Sequence, residues 1–158
     1  DLIPAAGGSV TFGQLYSVQP FGNVLQVKGL TGAQLRALLE QQFASGSNTV
    51  ERPNMLQVSR GFAYTYDLRR PVGQRIVSMT LNGRKIEDSR VYRVGLSNFL
   101  ATGGDNFTVF TAGQDLTGGG QEDVAALEAY VAKAGLIAPP PLGRITRLDT
   151  PATPPPED

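Results

Sequence analysis

The sequence predicts a single α+β domain, with a mixed or antiparallel sheet and two main helices. Two observations support this fold class: the two clearest helical segments lie far apart, and residues 56–96 between them read as consecutive strands. A chain of 158 residues can bury a core without disulfides or metals. We place the domain at residues 1–149 and expect the proline-rich residues 150–158 to be a disordered tail.

The helices are predicted from their capping signals and their apolar spacing. Thr31 and Gln34 form a capping-box pattern, and leucines recur at helical spacing after them. The second main helix is predicted at residues 122–134, where apolar residues share one face and Gly135 suits the position after the helix. A shorter helix is expected to begin after Thr11 as its N-cap.

The strands are predicted from alternation and from one turn signal. Phe62, Tyr64 and Tyr66 alternate with smaller residues, as in a half-buried strand. Asn82-Gly83 separates two β-type runs, and this pair is typical of a type I′ hairpin because both positions need a positive φ. Further strands are predicted at residues 24–28, 91–96 and 145–148.

The composition excludes several kinds of chemistry. The chain contains no histidine and no cysteine. The usual nitrogen and sulfur ligands of zinc are therefore missing, and so are Ser–His and Cys–His nucleophilic pairs. The 14 basic and 14 acidic residues cancel, which gives no general attraction to nucleic acid or to an anionic membrane. We expect no catalysis by the isolated chain, no nucleic acid polymer as partner and no membrane insertion.

Two loops carry the most specific motifs. The first is Val18-Gln19-Pro20-Phe21-Gly22-Asn23, and the second is Asn98-Phe99-Leu100-Ala101-Thr102-Gly103-Gly104-Asp105-Asn106-Phe107. In this order they resemble the C-terminal, substrate-binding domain of the 5′-nucleotidase family, which includes UDP-sugar hydrolases and 2′,3′-cyclic-nucleotide phosphodiesterases. The resemblance covers residues 5–148.

The resemblance implies a partner domain and a ligand. In this family an N-terminal metallophosphoesterase domain holds two divalent metals, and the C-terminal domain binds the nucleoside and presents its phosphate. The expected partners are thus a nucleotide or nucleoside and the chain's own N-terminal domain. No cofactor is expected in this chain, and both metals belong to the N-terminal domain. The family also implies a periplasmic or cell-surface location.

Family roles transfer to four residues of this sequence. Phe21 and Phe99 match the two aromatic rings that clamp the base, Asp105 matches the carboxylate that binds the ribose hydroxyls, and Asn23 matches a polar contact to the base edge. Stacking on a ring contributes roughly 1–3 kcal/mol per base, and a carboxylate accepts two hydroxyl donors well. The supporting loop residues are Gly22, Asn98, Gly103 and Gly104.

The sequence departs from the family pattern at two points. Asn106 stands where the family has a third glycine, and asparagine tolerates left-handed backbone. The family's Asn-x-Gly-Gly-x-Arg segment, whose arginine helps to hold phosphate in some members, is expected upstream of Asp1. This chain is therefore expected to hold a nucleotide incompletely.

Simpler interpretations stay open for each site residue. Phe21 and Phe99 can be core residues, since phenylalanine is usually buried, and Asp105 and Asn23 can be turn residues. At the level of function, the alternative is a free-standing ligand-binding or cell-envelope module of the same fold. An enzyme that uses carboxylates alone is a third possibility.

Overall fold

The computed structural model describes residues 8–117 and 120–149, which form two sheets with helices packed around them. The strands are β1 (Leu25–Thr31), β2 (Phe62–Tyr66), β3 (Ile76–Leu81), β4 (Arg84–Lys85), β5 (Val91–Ser97), β6 (Gln114–Thr117) and β7 (Ile145–Arg147). The helices are α1 (Phe12–Val18), α2 (Gly32–Glu40), α3 (Asn98–Ala101) and α4 (Asp123–Ala134), with short 3₁₀ turns at Gly104–Asn106 and Thr108–Ala112. The tail predicted at residues 150–158 lies outside the described residues.

The two sheets have simple topologies. One contains three antiparallel strands in the order β5-β1-β6, and the other has the order β4-β3-β2-β7. In the second sheet only β7 runs parallel to its neighbour, β2. Mixed pairing with helices outside the strand run confirms the predicted α+β class.

The predicted helix starts are confirmed in atomic detail. Thr11 and Thr31 each accept a hydrogen bond from the backbone N–H three residues later, and the Gln side chain at that position accepts one from the N–H of the cap. The apolar face predicted for α4 is only partly covered. Val124 is buried near its start, where α1 packs, whereas Tyr130 is 61% exposed.

The hairpin prediction is also confirmed, because Asn82 and Gly83 have φ of 51° and 76° between β3 and β4. The glycine-rich segment after β5 differs from the continuous loop that was predicted, since it contains α3 and two 3₁₀ turns. Strand β6 was missed, because its sequence Gln-Asp-Leu-Thr shows little apolar alternation.

A single hydrophobic core joins both sheets to α2. Its most deeply buried side chains include Leu30, Tyr64, Met79 and Phe107. Gln42 is buried among them, and its Oε1 atom accepts hydrogen bonds from the Tyr64 hydroxyl (3.1 Å) and from the Leu56 N–H (2.8 Å). This pairing satisfies polar groups that would otherwise be costly to bury.

Candidate functional site

The two motif-bearing loops meet at one end of the β1–β5 pair. Leu25 lies opposite Ser97 in the ladder. Beyond it, the Val24 N–H donates to the Asn98 side-chain Oδ1 (2.9 Å) and the Asn98 N–H donates to the Val24 carbonyl (2.8 Å). These two hydrogen bonds hold the loop before β1 beside the start of α3, so residues 74 positions apart in sequence become neighbours.

The rings of Phe21 and Phe99 lie on these two loops and both face solvent. Phe21 is 72% exposed and Phe99 is 46% exposed. Neither ring contacts another aromatic ring within the described residues. The open interpretation that both are core residues is therefore wrong, and the two rings remain available for an external partner.

Glycine at position 104 allows the Phe99 ring to lie against the backbone. A Cβ atom at Gly104 would stand 2.6 Å from the Phe99 Cε1 and Cζ atoms, which is closer than any real side chain packs. The preceding Gly103 has φ of 89°, which other residues rarely adopt. The ring is thus packed against the turn that leads directly into Asp105.

Asp105 presents a free carboxylate at this turn. Its side chain is exposed and makes no hydrogen bond or ion pair within residues 8–117 and 120–149. Its backbone has φ of 54°, and its carbonyl accepts a hydrogen bond from the buried Asn48 side chain (2.9 Å). Asp105 therefore has the backbone conformation of a turn residue, but its carboxylate forms no hydrogen bond within the turn.

The segment at residues 45–48 holds this turn, a contact that sequence patterns did not predict. The Ser45 hydroxyl donates to the Asn106 carbonyl (2.6 Å), and the Asn106 side chain donates to Ser47 Oγ (3.0 Å). Asn106 has φ of 65°, which confirms that asparagine takes the left-handed conformation at the position of the family's third glycine. The only sequence signal for the segment is its content of serine and asparagine, which marks loops in general.

Asn23 lies beside the start of α4. Its carbonyl accepts a hydrogen bond from the Asp123 N–H (2.9 Å), and its side-chain amide has no hydrogen-bond partner in the part of the chain that is described. The Asp123 carboxylate accepts from Gln19 Nε2 (3.0 Å) and from the Val124 N–H (2.7 Å). Asp123 therefore places a negative charge in the first turn of α4, where it complements the helix dipole, and its hydrogen bond to Gln19 also anchors the loop that carries Phe21.

Direct contacts between their loops bring the four predicted site residues to one end of the domain. What they offer is two apolar ring faces, one free carboxylate and one free amide. No group of three His, Cys, Asp or Glu side chains suited to a metal ion occurs among the residues that the structure describes. Exposed ring faces are suited to stacking on a flat ring, and a free carboxylate is suited to accepting a hydrogen bond from a hydroxyl group.

A groove of about 330 Å³ lies elsewhere on the molecule, between β5 and residues 56–59. None of Phe21, Asn23, Phe99 and Asp105 lines it. The candidate site is thus separate from this groove. No helix in the described part of the chain has the length and apolar character needed to cross a membrane.

The two sheets, the helices around them and the two motif-bearing loops together define a single α+β domain. Residues 2–112 match the family described as the C-terminal domain of 5′-nucleotidase, and this match covers most of the chain. The chain therefore belongs to that family, as its motifs indicated.

Individual relatives agree with this assignment. The chain is 34% identical over 153 residues to the trifunctional nucleotide phosphoesterase protein YfkN of Bacillus subtilis, covering 91% of this chain and 10% of that protein. It is 31% identical over 154 residues to a venom 5′-nucleotidase of the snake Macrovipera lebetinus, covering 92% of this chain and 37% of that protein. Among solved structures, the 5′-nucleotidase precursor of Thermus thermophilus superimposes with a TM-score of 0.79 at 36% identity, over 91% of this chain and 29% of that one.

In each of these matches the chain spans well under half of the relative's length. The family assignment therefore applies to this domain and does not by itself assign the activity of a longer protein.

Proposed function

We propose that this chain is the nucleotide-recognition domain of a metal-dependent 5′-nucleotidase-type phosphoesterase. In this proposal the base lies between Phe21 and Phe99, the ribose hydroxyls donate to Asp105, and Asn23 contacts the base edge. The observation that carries it is the pair of exposed phenylalanine rings on loops that the Val24 and Asn98 hydrogen bonds hold together.

Physical chemistry supports each role. Leaving a large apolar side chain in water forgoes roughly 1.5–3 kcal/mol of burial, so two such rings in one place favour a partner that covers them. An aromatic base fits because stacking depends on a flat π-face and little on base identity. A free carboxylate beside the rings suits a cis-diol, since an ionised acceptor forms stronger hydrogen bonds than a neutral one.

The chemistry of hydrolysis belongs, in this proposal, to a partner domain. The relatives are much longer than this chain and are named as nucleotidases or phosphoesterases, which supports an N-terminal metallophosphoesterase domain on the same polypeptide. Two divalent metals in that domain would activate water and neutralise phosphoryl charge. We further propose export to the periplasm or cell surface, in line with the venom origin of one relative.

The test is a set of alanine variants in the longer polypeptide that carries this domain. Phe21→Ala and Phe99→Ala are each expected to raise KM for adenosine 5′-monophosphate about 5- to 150-fold, because each removes one stacking contact. The value of kcat should change much less, since the rings touch the base and not the phosphate. Phe12→Ala is the matched control, because Phe12 is 55% exposed but lies outside the two loops.

The ribose contact is tested in the same experiment with Asp105→Asn. This variant is expected to raise KM for adenosine 5′-monophosphate but not for its 2′,3′-dideoxy analogue, which lacks the hydroxyl donors. If the two phenylalanine variants leave KM within the range of the Phe12→Ala control, the assignment of the base clamp is wrong.

A further inference from the structure

The groove beside β5 has an apolar floor that nothing in the described chain covers. One of its walls is β5, and the other is the irregular segment at residues 56–59. The floor is formed by side chains of the core and its margin, among them Leu35, Leu39, Phe62 and Phe110, together with the inward-facing Val94 and Leu96 side chains of β5. Apolar surface of this kind is typical of a binding groove or of a position where another element packs.

Strand β5 is also the free edge of its sheet. Its sole partner within residues 8–117 and 120–149 is β1, which lies on one side. Hydrogen bonds from Asn98 N–H to the Val24 carbonyl and from Gly32 N–H to the Arg90 carbonyl establish which positions face β1. The N–H and carbonyl groups of successive residues point to opposite sides of an antiparallel strand. The even-numbered residues of β5 are therefore the ones whose backbone groups form hydrogen bonds with β1.

The odd-numbered residues of β5 consequently direct their N–H and carbonyl groups away from β1, toward the groove side. These are Val91, Arg93, Gly95 and Ser97, and the first three are exposed. A Cβ atom at Gly95 would meet nothing within 4 Å, so the sheet face that carries the odd-numbered side chains is open at this position. Arg93 is the one charged side chain on this seven-residue strand, and the edge is thus only lightly protected against pairing.

We propose that the outer edge of β5 accepts an additional β-strand from the longer polypeptide in which this domain occurs. The incoming strand would pair with Arg93 and Gly95 through backbone hydrogen bonds and place every second, apolar side chain on the floor of the groove. This inference rests on the part of the proposed function that assigns the domain to a longer chain. That assignment is supported by relatives of which this chain spans only 10% to 37%.

The chemistry of the groove restricts what the strand can be. Its inward positions should be apolar, because Leu, Phe and Val side chains form the floor. Its positions opposite Arg93 and Gly95 should not be proline, since proline has no N–H for the ladder. A chain segment fits these demands better than a small ligand, because the exposed backbone groups and the apolar floor run side by side along the same strand.

Amide hydrogen exchange on the 158-residue chain and on the longer polypeptide tests the proposal. In the 158-residue chain the N–H groups of Arg93 and Gly95 should exchange rapidly, whereas those of Val94 and Leu96, which face β1, should be protected. In the longer polypeptide Arg93 and Gly95 should become protected by about tenfold or more. Lys85 is the control, because its N–H points outward from the other edge strand, β4, and should stay fast in both proteins.

Each other outcome overturns the proposal. Unchanged fast exchange of Arg93 and Gly95 in the longer polypeptide excludes strand addition. Equal protection of Lys85 indicates general burial instead of pairing at β5. Concentration-dependent protection already present in the 158-residue chain shows that a second copy occupies the edge. None of these results depends on nucleotide kinetics, so failure here is distinguishable from failure of the base clamp.

A variant provides an independent measurement. Gly95→Pro removes an outward N–H but no hydrogen bond to β1, so it should lower the melting temperature of the longer polypeptide more than that of the 158-residue chain. An equal effect on both proteins would contradict strand addition.

Discussion

Gly103, Gly104 and Asn106 surround Asp105 with backbone that few other residues could adopt. Gly103 and Asn106 have φ of 89° and 65°, and Gly104 leaves no room for a Cβ beneath the Phe99 ring. The turn therefore exposes the Asp105 carboxylate beside the Phe99 ring, and no residue of the turn forms a hydrogen bond with that carboxylate. At the scale of residues, the candidate site is made by local geometry as much as by its polar and aromatic side chains.

Tyr64 provides a residue-scale prediction about pH. Burial raises the pKa of its hydroxyl from 10.0 to about 12, against the smaller opposing effect of the hydrogen bond to Gln42. Because the folded pKa lies above the unfolded one, this contribution to stability is fully present below about pH 10 and is lost as pH rises through about 12. Between these values the free energy of unfolding should fall by an amount of order 2–3 kcal/mol.

The measurement is chemical denaturation across that pH range for the wild type and two variants. At neutral pH the free energy of unfolding of Tyr64→Phe should be roughly 1 kcal/mol lower, because the variant lacks the hydrogen bond to Gln42. The variant should not show the part of the decrease in stability at alkaline pH that comes from ionisation of Tyr64. Tyr130→Phe, at an exposed position, should follow the wild type throughout. An alkaline slope that is the same in Tyr64→Phe as in the wild type would show that Tyr64 is not its source.

At the scale of elements, the two loops depend on the β1–β5 pair and on α4. The ladder extends beyond Leu25 and Ser97 through Val24 and Asn98, and the Asn98 side chain replaces a backbone carbonyl as acceptor. The start of α4 holds the first loop from its other side, because the Asp123 N–H donates to the Asn23 carbonyl. The relative position of the two rings is thus determined by three secondary-structure elements.

Asn98 is the residue whose change should separate the two loops. Asn98→Ala removes the acceptor of the Val24 N–H and should cost roughly 1 kcal/mol of stability. In the longer polypeptide it should also raise KM for adenosine 5′-monophosphate, because Phe21 and Phe99 lose their alignment. Asn98→Asp keeps an oxygen acceptor for the Val24 N–H, so its stability and its KM should both stay close to the wild-type values. Thermal denaturation and steady-state kinetics measure them, and a loss of stability without any change in KM would limit Asn98 to a structural role.

At the scale of the whole molecule, the domain has two open features at different places. The candidate site exposes Phe21, Phe99 and Asp105, and the groove beside β5 exposes an apolar floor and a strand edge. In our two proposals, a substrate covers the first of these surfaces and another part of a longer polypeptide covers the second.

A whole-molecule prediction follows for the isolated chain. We expect it to release no phosphate from adenosine 5′-monophosphate above the uncatalysed rate, with or without added divalent metal. We expect adenosine to shift the NMR signals of the Phe21 and Phe99 rings in the same sample, with Phe12 unchanged. Phosphate release that persists after removal of trace contaminants would contradict a purely recognition role.

Much of the fold was determined by the sequence alone, because the signals involved are local. The capping boxes at Thr11 and Thr31 and the Asn82-Gly83 turn act over three or four residues, so they can be recognised without knowledge of the rest of the fold. The two loop motifs likewise identified the family, and they predicted Phe21 and Phe99 as candidate site residues. Local signals did not predict that these two rings are exposed. They also did not predict the hydrogen bonds by which Ser45 and Asn48 stabilise the Asp105 turn.

These features were decided by the tertiary structure, because they depend on partners distant in the chain. Asn98 meets Val24 only after β1 and β5 have paired, and Asn48 reaches the Asp105 carbonyl only after α2 has packed against the 3₁₀ turn at Thr108–Ala112, which follows the Asp105 turn. The weakly patterned β6 became a strand for the same reason, since its pairing with β1 outweighs its own low propensity. The groove beside β5 belongs to this class as well, because an unpaired edge has no signature in sequence and is visible only when every neighbour of the strand is known.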